Sequence, residues 1–171
     1  MKPSPWVRMD IWVRHLVPFG MTMGLVLLSV MPVGLPGYAR IAPMLPVMAV
    51  YYWAIYRPDL LPAWAAFAIG LLADILAGTP LGVNALVLLL VQSVTASQRR
   101  FFLAKSFLVA WWAFAILAAG AVGLSWLLVS LLDGRLIGLG SVAVEYVVMV
   151  GLFPVLTRLL AQMQLAFLKD V

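Results

Sequence analysis

The sequence has 171 residues, of which 65% are hydrophobic and only 10% are charged, with a formal net charge of +5. Soluble proteins are roughly half apolar and about 25% charged, so a soluble core cannot hide this much apolar surface and lipid is the expected solvent. The absence of cysteine excludes disulfides and thiolate chemistry, and one histidine leaves too few ligands for a zinc site. We therefore expect no metal and no cofactor. We also expect no nucleic-acid partner, because the basic residues are dispersed among short segments between apolar runs.

Charged residues divide the chain into apolar runs close to the ~20 residues that a membrane-spanning helix needs. This pattern predicts one all-α transmembrane domain, residues 1–171, built as a compact bundle of six helices. The predicted spans, in chain order, are 15–37, 41–56, 60–77, 80–98, 106–132 and 136–157. The connections are short, so consecutive helices are expected to be antiparallel neighbours.

The distribution of lysine and arginine predicts the orientation. With six spans, both termini and the second and fourth connections share one side, which carries nine of the eleven basic residues. These nine are Lys2, Arg8, Arg14, Arg57, Arg99, Arg100, Lys105, Arg158 and Lys169. The positive-inside rule therefore places both termini in the cytoplasm. The first apolar run exceeds the roughly 7–15 residues of a signal-peptide core, and no A-x-A-like site follows it, so it is expected to remain as an anchor.

Aromatic residues cluster at the predicted cytoplasmic end of the second helix, where Tyr51, Tyr52, Trp53 and Tyr56 occur. Amphipathic rings favour the level of the lipid headgroups, so these four side chains are expected there.

Polar residues inside the apolar runs are the first candidates for function, because a charge at the centre of a spanning helix costs roughly 2.5–3.5 kcal/mol. Glu145 follows Leu136 by nine residues, about 13 Å by helical rise, which places it near the midplane. It is either a ligand or proton site or a protonated carboxyl hydrogen-bonded within the bundle. Gln92 lies about 18 Å from Pro80 along the fourth helix. No nucleophile–His–acid set, phosphate loop or close pair of carboxylates is present, so we do not expect an enzyme.

A second set of candidate residues lies in and beside the turn between the third and fourth helices. We predict that Asp74, Gly78, Pro80, Gly82 and Asn84 form one rigid corner at the outer ends of these helices. The turn folds the helices back on each other, so Asp74 and Asn84 are expected to meet, with Asp74 accepting backbone N–H bonds. The glycines permit backbone conformations that a Cβ hinders, and proline suits a first helical turn.

Small residues at four-residue spacing mark faces for close helix packing. Gly20 and Gly24 form a G-x-x-x-G in the first helix, and Ala115, Ala119 and Gly123 repeat the spacing in the fifth. Such faces serve the internal bundle or a partner. We expect internal packing.

The stretch from Gly70 to Leu86, GLLADILAGTPLGVNAL, resembles the signature of the MreD family, G-L-L-x-D-x-L-x-G-x-P-L-G-x-N/H-A. The pair Tyr52-Trp53 upstream and the run QRRFF at 98–102 extend the resemblance over about residues 45–103. Glu145 lies outside this region.

The resemblance implies a multi-pass protein of the bacterial cytoplasmic (inner) membrane, with a fold similar to that of substrate-binding subunits of energy-coupling-factor transporters. It implies a non-enzymatic scaffold of the elongation machinery that positions sidewall peptidoglycan synthesis and works with MreC, MreB, RodA and the elongation-specific transpeptidase. Arg99 and Arg100 are then expected to contact membrane lipids or a cytoplasmic partner. The alternative is a small-molecule-binding membrane subunit of an uptake transporter, with Asp74, Asn84 and Glu145 lining a polar pocket.

Overall fold

The structure, a computed structural model, describes residues 5–31, 45–103, 105–134 and 138–167, and these residues form α-helices joined by short turns. The helices are α1 (Pro5–Val30), α2 (Leu45–Tyr56), α3 (Ala63–Ala77), α4 (Val83–Leu103), α5 (Phe107–Asp133) and α6 (Leu139–Phe167). The prediction of an all-α protein is confirmed, and each of these helices overlaps one predicted span.

Several helices extend past the charged residues at which the sequence predicts their ends. α4 continues to Leu103 rather than residue 98, α6 continues to Phe167 rather than residue 157, and α1 begins at Pro5 rather than residue 15. An arginine excludes a segment from hydrocarbon, but it is a good helix former, so backbone hydrogen bonding continues beyond it. The end of the first predicted span and the start of the second fall in residues 32–44, which lie outside the described residues.

Helix lengths differ more than the six predicted spans suggest. Phe107–Leu132 of α5 and Leu139–Leu165 of α6 are long and apolar enough to cross a membrane by themselves. The 12 residues of α2 and the 15 residues of α3 rise only about 18 and 22 Å, against a hydrocarbon core of about 30 Å. The number of spans and their orientation therefore stay predictions.

α2 is the central helix of the bundle. Its residues from Pro46 to Ile55 are all buried, and it packs against α1, α4 and α6. A helix that is apolar on every side suits either a protein core or lipid, and the neighbours of α2 place it in the core. The short α2 therefore forms the core around which the longer helices are arranged.

The aromatic side chains of α2 point into this core. Trp53, Tyr51 and Tyr52 are 0%, 1% and 4% exposed, and only Tyr56, at 40%, reaches the surface. The Tyr51 hydroxyl donates to the carbonyl of Ala110, 2.9 Å away. The bundle itself supplies the apolar packing and the polar partner that a buried tyrosine needs, and the headgroup level of these rings stays a prediction.

α5 and α6 form an antiparallel pair with a different character. The indole N–H of Trp111 donates to the Val150 carbonyl at 3.0 Å, and the Tyr146 hydroxyl donates to the Ala115 carbonyl at 3.1 Å. These bonds join the two helices on their inner side. Only 22% of the apolar window of α5 and 11% of that of α6 is buried, so most of the apolar surface of these two helices is left uncovered by the rest of the bundle.

Candidate functional site

The site is built at the turn between α3 and α4, and it begins with the end of α3. Gly78 ends the helix in the left-handed conformation, with φ of 68°, and its N–H donates to the Asp74 carbonyl. The N–H of Thr79 donates to the same carbonyl at 3.2 Å. A left-handed residue after the last helical turn favours glycine, because a Cβ would crowd the backbone. The backbone of Asp74 is therefore the acceptor at which α3 ends.

The side chain of Asp74 is fully buried and accepts four hydrogen bonds. Its Oδ1 accepts from the Thr79 hydroxyl at 2.8 Å and from the Asn84 backbone N–H at 3.0 Å. Its Oδ2 accepts from the backbone N–H groups of Gly82 at 2.9 Å and Ala85 at 3.4 Å. An ionised carboxylate has about four acceptor positions, so both oxygens are saturated.

These bonds cap the N-terminus of α4. A helix leaves its first four N–H groups without intrahelical partners, and Gly82, whose carbonyl accepts from Leu86 N–H at 2.9 Å, stands at the N-cap position. Gly82 has no side chain to act as a cap, and its φ of 101° favours glycine. The Asp74 carboxylate takes the place of that cap from the neighbouring helix. Val83 N–H completes the four, since it donates to the Pro80 carbonyl at 3.3 Å.

Close approach of the two helices makes this cap possible. A Cβ built on Gly70 would lie only 2.3 Å from the Cα of Ala85, a distance at which the backbones must move apart. Gly70 is one turn before Asp74 on the same face of α3. Glycine at this position therefore brings the first turn of α4 within reach of the carboxylate.

The structure thus brings Asp74, Gly78, Pro80, Gly82 and Asn84 together in one corner, although Asn84 meets Asp74 through its backbone. The Asn84 side-chain amide instead donates to the Thr79 hydroxyl at 3.3 Å. Sequence reasoning omitted three participants from the corner: Gly70, Thr79 and Ala85. The four-residue spacing from Gly70 to Asp74 was a usable signal, whereas the alanine contributes only its backbone.

The two polar residues that the sequence predicts to lie within the membrane are apart from this corner. The Gln92 amide is buried and donates to the Leu61 carbonyl at 3.1 Å, so it binds the connection between α2 and α3. Glu145, on α6, is half-buried and has no hydrogen-bond partner among the described residues. Its role stays open between the two interpretations.

The G-x-x-x-G face of α1 points away from the bundle. Gly20 and Gly24 are exposed, and a Cβ on either would meet nothing within 4 Å, whereas Thr22 and Val26 are buried. The expectation of internal packing for these glycines is wrong, because α1 turns its other face to α2 and α3. Arg99 and Arg100 lie in the last turns of α4, the first half-buried and the second exposed.

The family model of the rod shape-determining protein MreD matches residues 9–163. The chain belongs to the MreD family. The match extends well beyond the residues that carry the resemblance in sequence and includes every helix at least in part. Among curated proteins and solved structures, the comparisons found no match.

Family membership gives the chain a role in rod-shape determination, as a structural protein. Together with the two long apolar helices, it indicates a membrane protein. The chemistry of the corner fits a structural role, because every acceptor position of its only acid is used by the protein itself. Among the described residues, no three acidic or histidine side chains converge as metal ligands would.

Proposed function

We propose that the chain is a non-enzymatic scaffold of the bacterial elongation machinery, which helps to position sidewall peptidoglycan synthesis. The observation that carries this proposal is the saturated carboxylate of Asp74 within a family of shape-determining proteins. A residue that uses all four acceptor positions to join two helices stabilises a shape and has none left for a ligand. The same observation weighs against the small-molecule uptake subunit.

The proposed arrangement is a single transmembrane domain of six spans in the cytoplasmic (inner) membrane, with both termini inside. Nine of the eleven basic residues on one side support the orientation. The short α2 fits because it lies inside the bundle, where protein rather than lipid surrounds it. In this arrangement the Asp74 corner faces the periplasm and the α4–α5 connection faces the cytoplasm.

We place the partner helix of MreC on the outward face of α1. Small residues let two helices approach closely in lipid, and Gly20 and Gly24 offer an open surface of that kind. The flanking side chains Leu27 and Leu28 are 52% and 44% exposed, which extends the apolar surface along the helix. MreC is chosen as the occupant because the family resemblance names it as a partner, and a transmembrane helix of such a partner suits a surface of this kind. MreB, RodA and the transpeptidase are proposed as further members of the same complex.

The experiment is purification of the tagged full-length chain from rod-shaped cells in mild detergent, with MreC measured in the eluate. We expect MreC to co-purify with wild type and to be reduced at least tenfold with Gly24→Leu, whose side chain separates the two helices. Gly151→Leu is the matched control, because Gly151 is also an exposed helical glycine with nothing within 4 Å of an added Cβ.

Loss of MreC from both glycine variants would place its helix elsewhere. Absence of MreC from the wild-type eluate, with a small molecule present in equal amount to the chain, would reject the scaffold in favour of the uptake subunit.

A further inference from the structure

A groove between α4 and α5 lies outside everything described so far. It has a volume of about 550 Å³, within the range of roughly 300–1,000 Å³ typical of ligand sites. Its walls are apolar over most of their length, with Val87 and Val94 on α4 and Ile116 and Gly120 on α5. Val94 and Ile116 are 47% and 74% exposed, so the groove opens to the outside of the bundle.

The dimensions of the groove match one leaflet of a bilayer. On α4 its lining runs from Val87 to Gln98, and on α5 from Ala113 to Leu124, which is about 16 Å along each helix. Half of a hydrocarbon core of about 30 Å is about 15 Å. A partner helix that crossed the membrane would need a surface twice as long, whereas an acyl chain needs only this length.

The two ends of the groove differ in polarity. Thr95 and Gln98 are its polar lining residues, and they lie toward the end of α4 that carries the cations. Arg99 and Arg100 follow at once, and Lys105 occupies the connection to α5 with its ammonium 5.7 Å from the centre of the Phe101 ring.

No acid offsets this positive charge near the end of the groove, because α4 has none and the single acid of α5, Asp133, is the last residue of that helix, at its opposite end. The sequence has no aspartate or glutamate between Asp74 and Asp133. Basic pockets between transmembrane helices on the cytoplasmic side bind the headgroups of anionic lipids. The charge therefore complements a phosphate at the end of the groove where the hydrocarbon ends.

We propose that the α4–α5 groove is a binding site for one anionic phospholipid, with an acyl chain along the groove and the phosphate at Arg99 and Lys105. The site goes beyond the scaffold function and does not require it. It gives Arg99 and Lys105 a specific task, which is to hold a lipid that fills the space between α4 and α5.

The test uses the purified full-length chain, delipidated in detergent, with bound lipid counted by native mass spectrometry during titration. Phosphatidylglycerol is the anionic probe and phosphatidylcholine the zwitterionic one. We expect one tightly bound phosphatidylglycerol per chain and no comparable site for phosphatidylcholine. Arg99→Gln with Lys105→Gln should weaken binding roughly thirtyfold, about fivefold for each cation near the headgroups, whereas Arg100→Gln, on the opposite face of α4, should weaken it much less.

The acyl-chain half of the proposal needs its own variants. Gly120→Leu fills the groove from α5, where an added Cβ meets nothing within 4 Å, and should weaken phosphatidylglycerol binding at least tenfold. Ala113→Leu fills the other end of the groove and serves as a second variant, in case the first does not fold. Gly151→Leu, on α6 and outside the groove, should bind as wild type does.

Three results would overturn the site. Equal retention of phosphatidylcholine means ordinary annular lipid, and unchanged binding in both groove-filling variants means that the chain lies elsewhere. Competition by water-soluble glycerol 3-phosphate as strong as that by the lipid means that the cations bind phosphate without the groove. None of these depends on whether MreC co-purifies.

Discussion

Removal of the Asp74 carboxylate is the sharpest test of the corner, because it deprives α4 of its cap without changing α4 itself. In Asp74→Ala, the backbone N–H groups of Gly82, Asn84 and Ala85 lose their acceptor in a buried place. Each unsatisfied buried donor costs about 1–3 kcal/mol, which gives roughly 3–9 kcal/mol in total. We expect a value near the lower end, because the first turn of α4 can relax.

Asp74→Asn should be milder for a geometric reason. The side-chain oxygen of the new asparagine can keep the bonds from the N–H groups of Gly82 and Ala85. Its side-chain N–H can donate to the Thr79 hydroxyl oxygen, because a hydroxyl can accept as well as donate a hydrogen bond. Only the backbone N–H of Asn84 then loses its acceptor, because it faces the side-chain NH₂ of the new asparagine. One unsatisfied donor predicts a loss of about 1–3 kcal/mol, roughly a third of the loss in the alanine variant.

The assay is thermal unfolding in detergent, with Asp59→Ala as the control because Asp59 is an exposed acid in the connection before α3. About 2–4 °C per kcal/mol is typical for a chain of this size, so Asp74→Ala should unfold at least about 6 °C below wild type. Membrane abundance should fall with it, and cells that rely on this variant should become rounder. Equal melting of Asp74→Ala and Asp59→Ala would refute the cap, and an asparagine variant as unstable as the alanine variant would refute the assignment of donors.

Two other predictions test close packing and topology. Gly70→Ala should destabilise the protein by about 1–3 kcal/mol, as overpacking does, because the added Cβ would lie 2.3 Å from the backbone of Ala85. Gly123→Ala is the control and should not destabilise the protein, because a Cβ at Gly123 of α5 meets nothing within 4 Å. Equal melting temperatures of the two variants would contradict the close approach of α3 and α4. A reporter fused after Val171 should be active in the cytoplasm, and one inserted at Gly134 should be active in the periplasm. A periplasmic signal from the fusion after Val171 would overturn the arrangement of six spans with both termini inside.

The sequence by itself determined the fold class, the family and the location of the corner. Hydrophobic composition predicted an all-α membrane protein because few charges leave lipid as the only suitable solvent for so much apolar surface. The corner was predictable because the five residues assigned to it lie within eleven positions, from Asp74 to Asn84, where glycine and proline restrict the turn locally. Local chemistry of this kind is visible in a linear sequence.

Tertiary structure alone decided what surrounds each helix. The aromatic residues of α2 suit a headgroup layer and a protein core equally well, and only the packing of α1, α4 and α6 around them placed Tyr51 and Trp53 inside. Likewise, G-x-x-x-G specifies a surface for close approach but not the helix that uses it. The sequence therefore predicts an inward position for Gly20 and Gly24, and the structure places both outward. The physical reason is that lipid and protein interior are both apolar, so hydrophobicity does not distinguish between them, and only the arrangement of the neighbouring helices does.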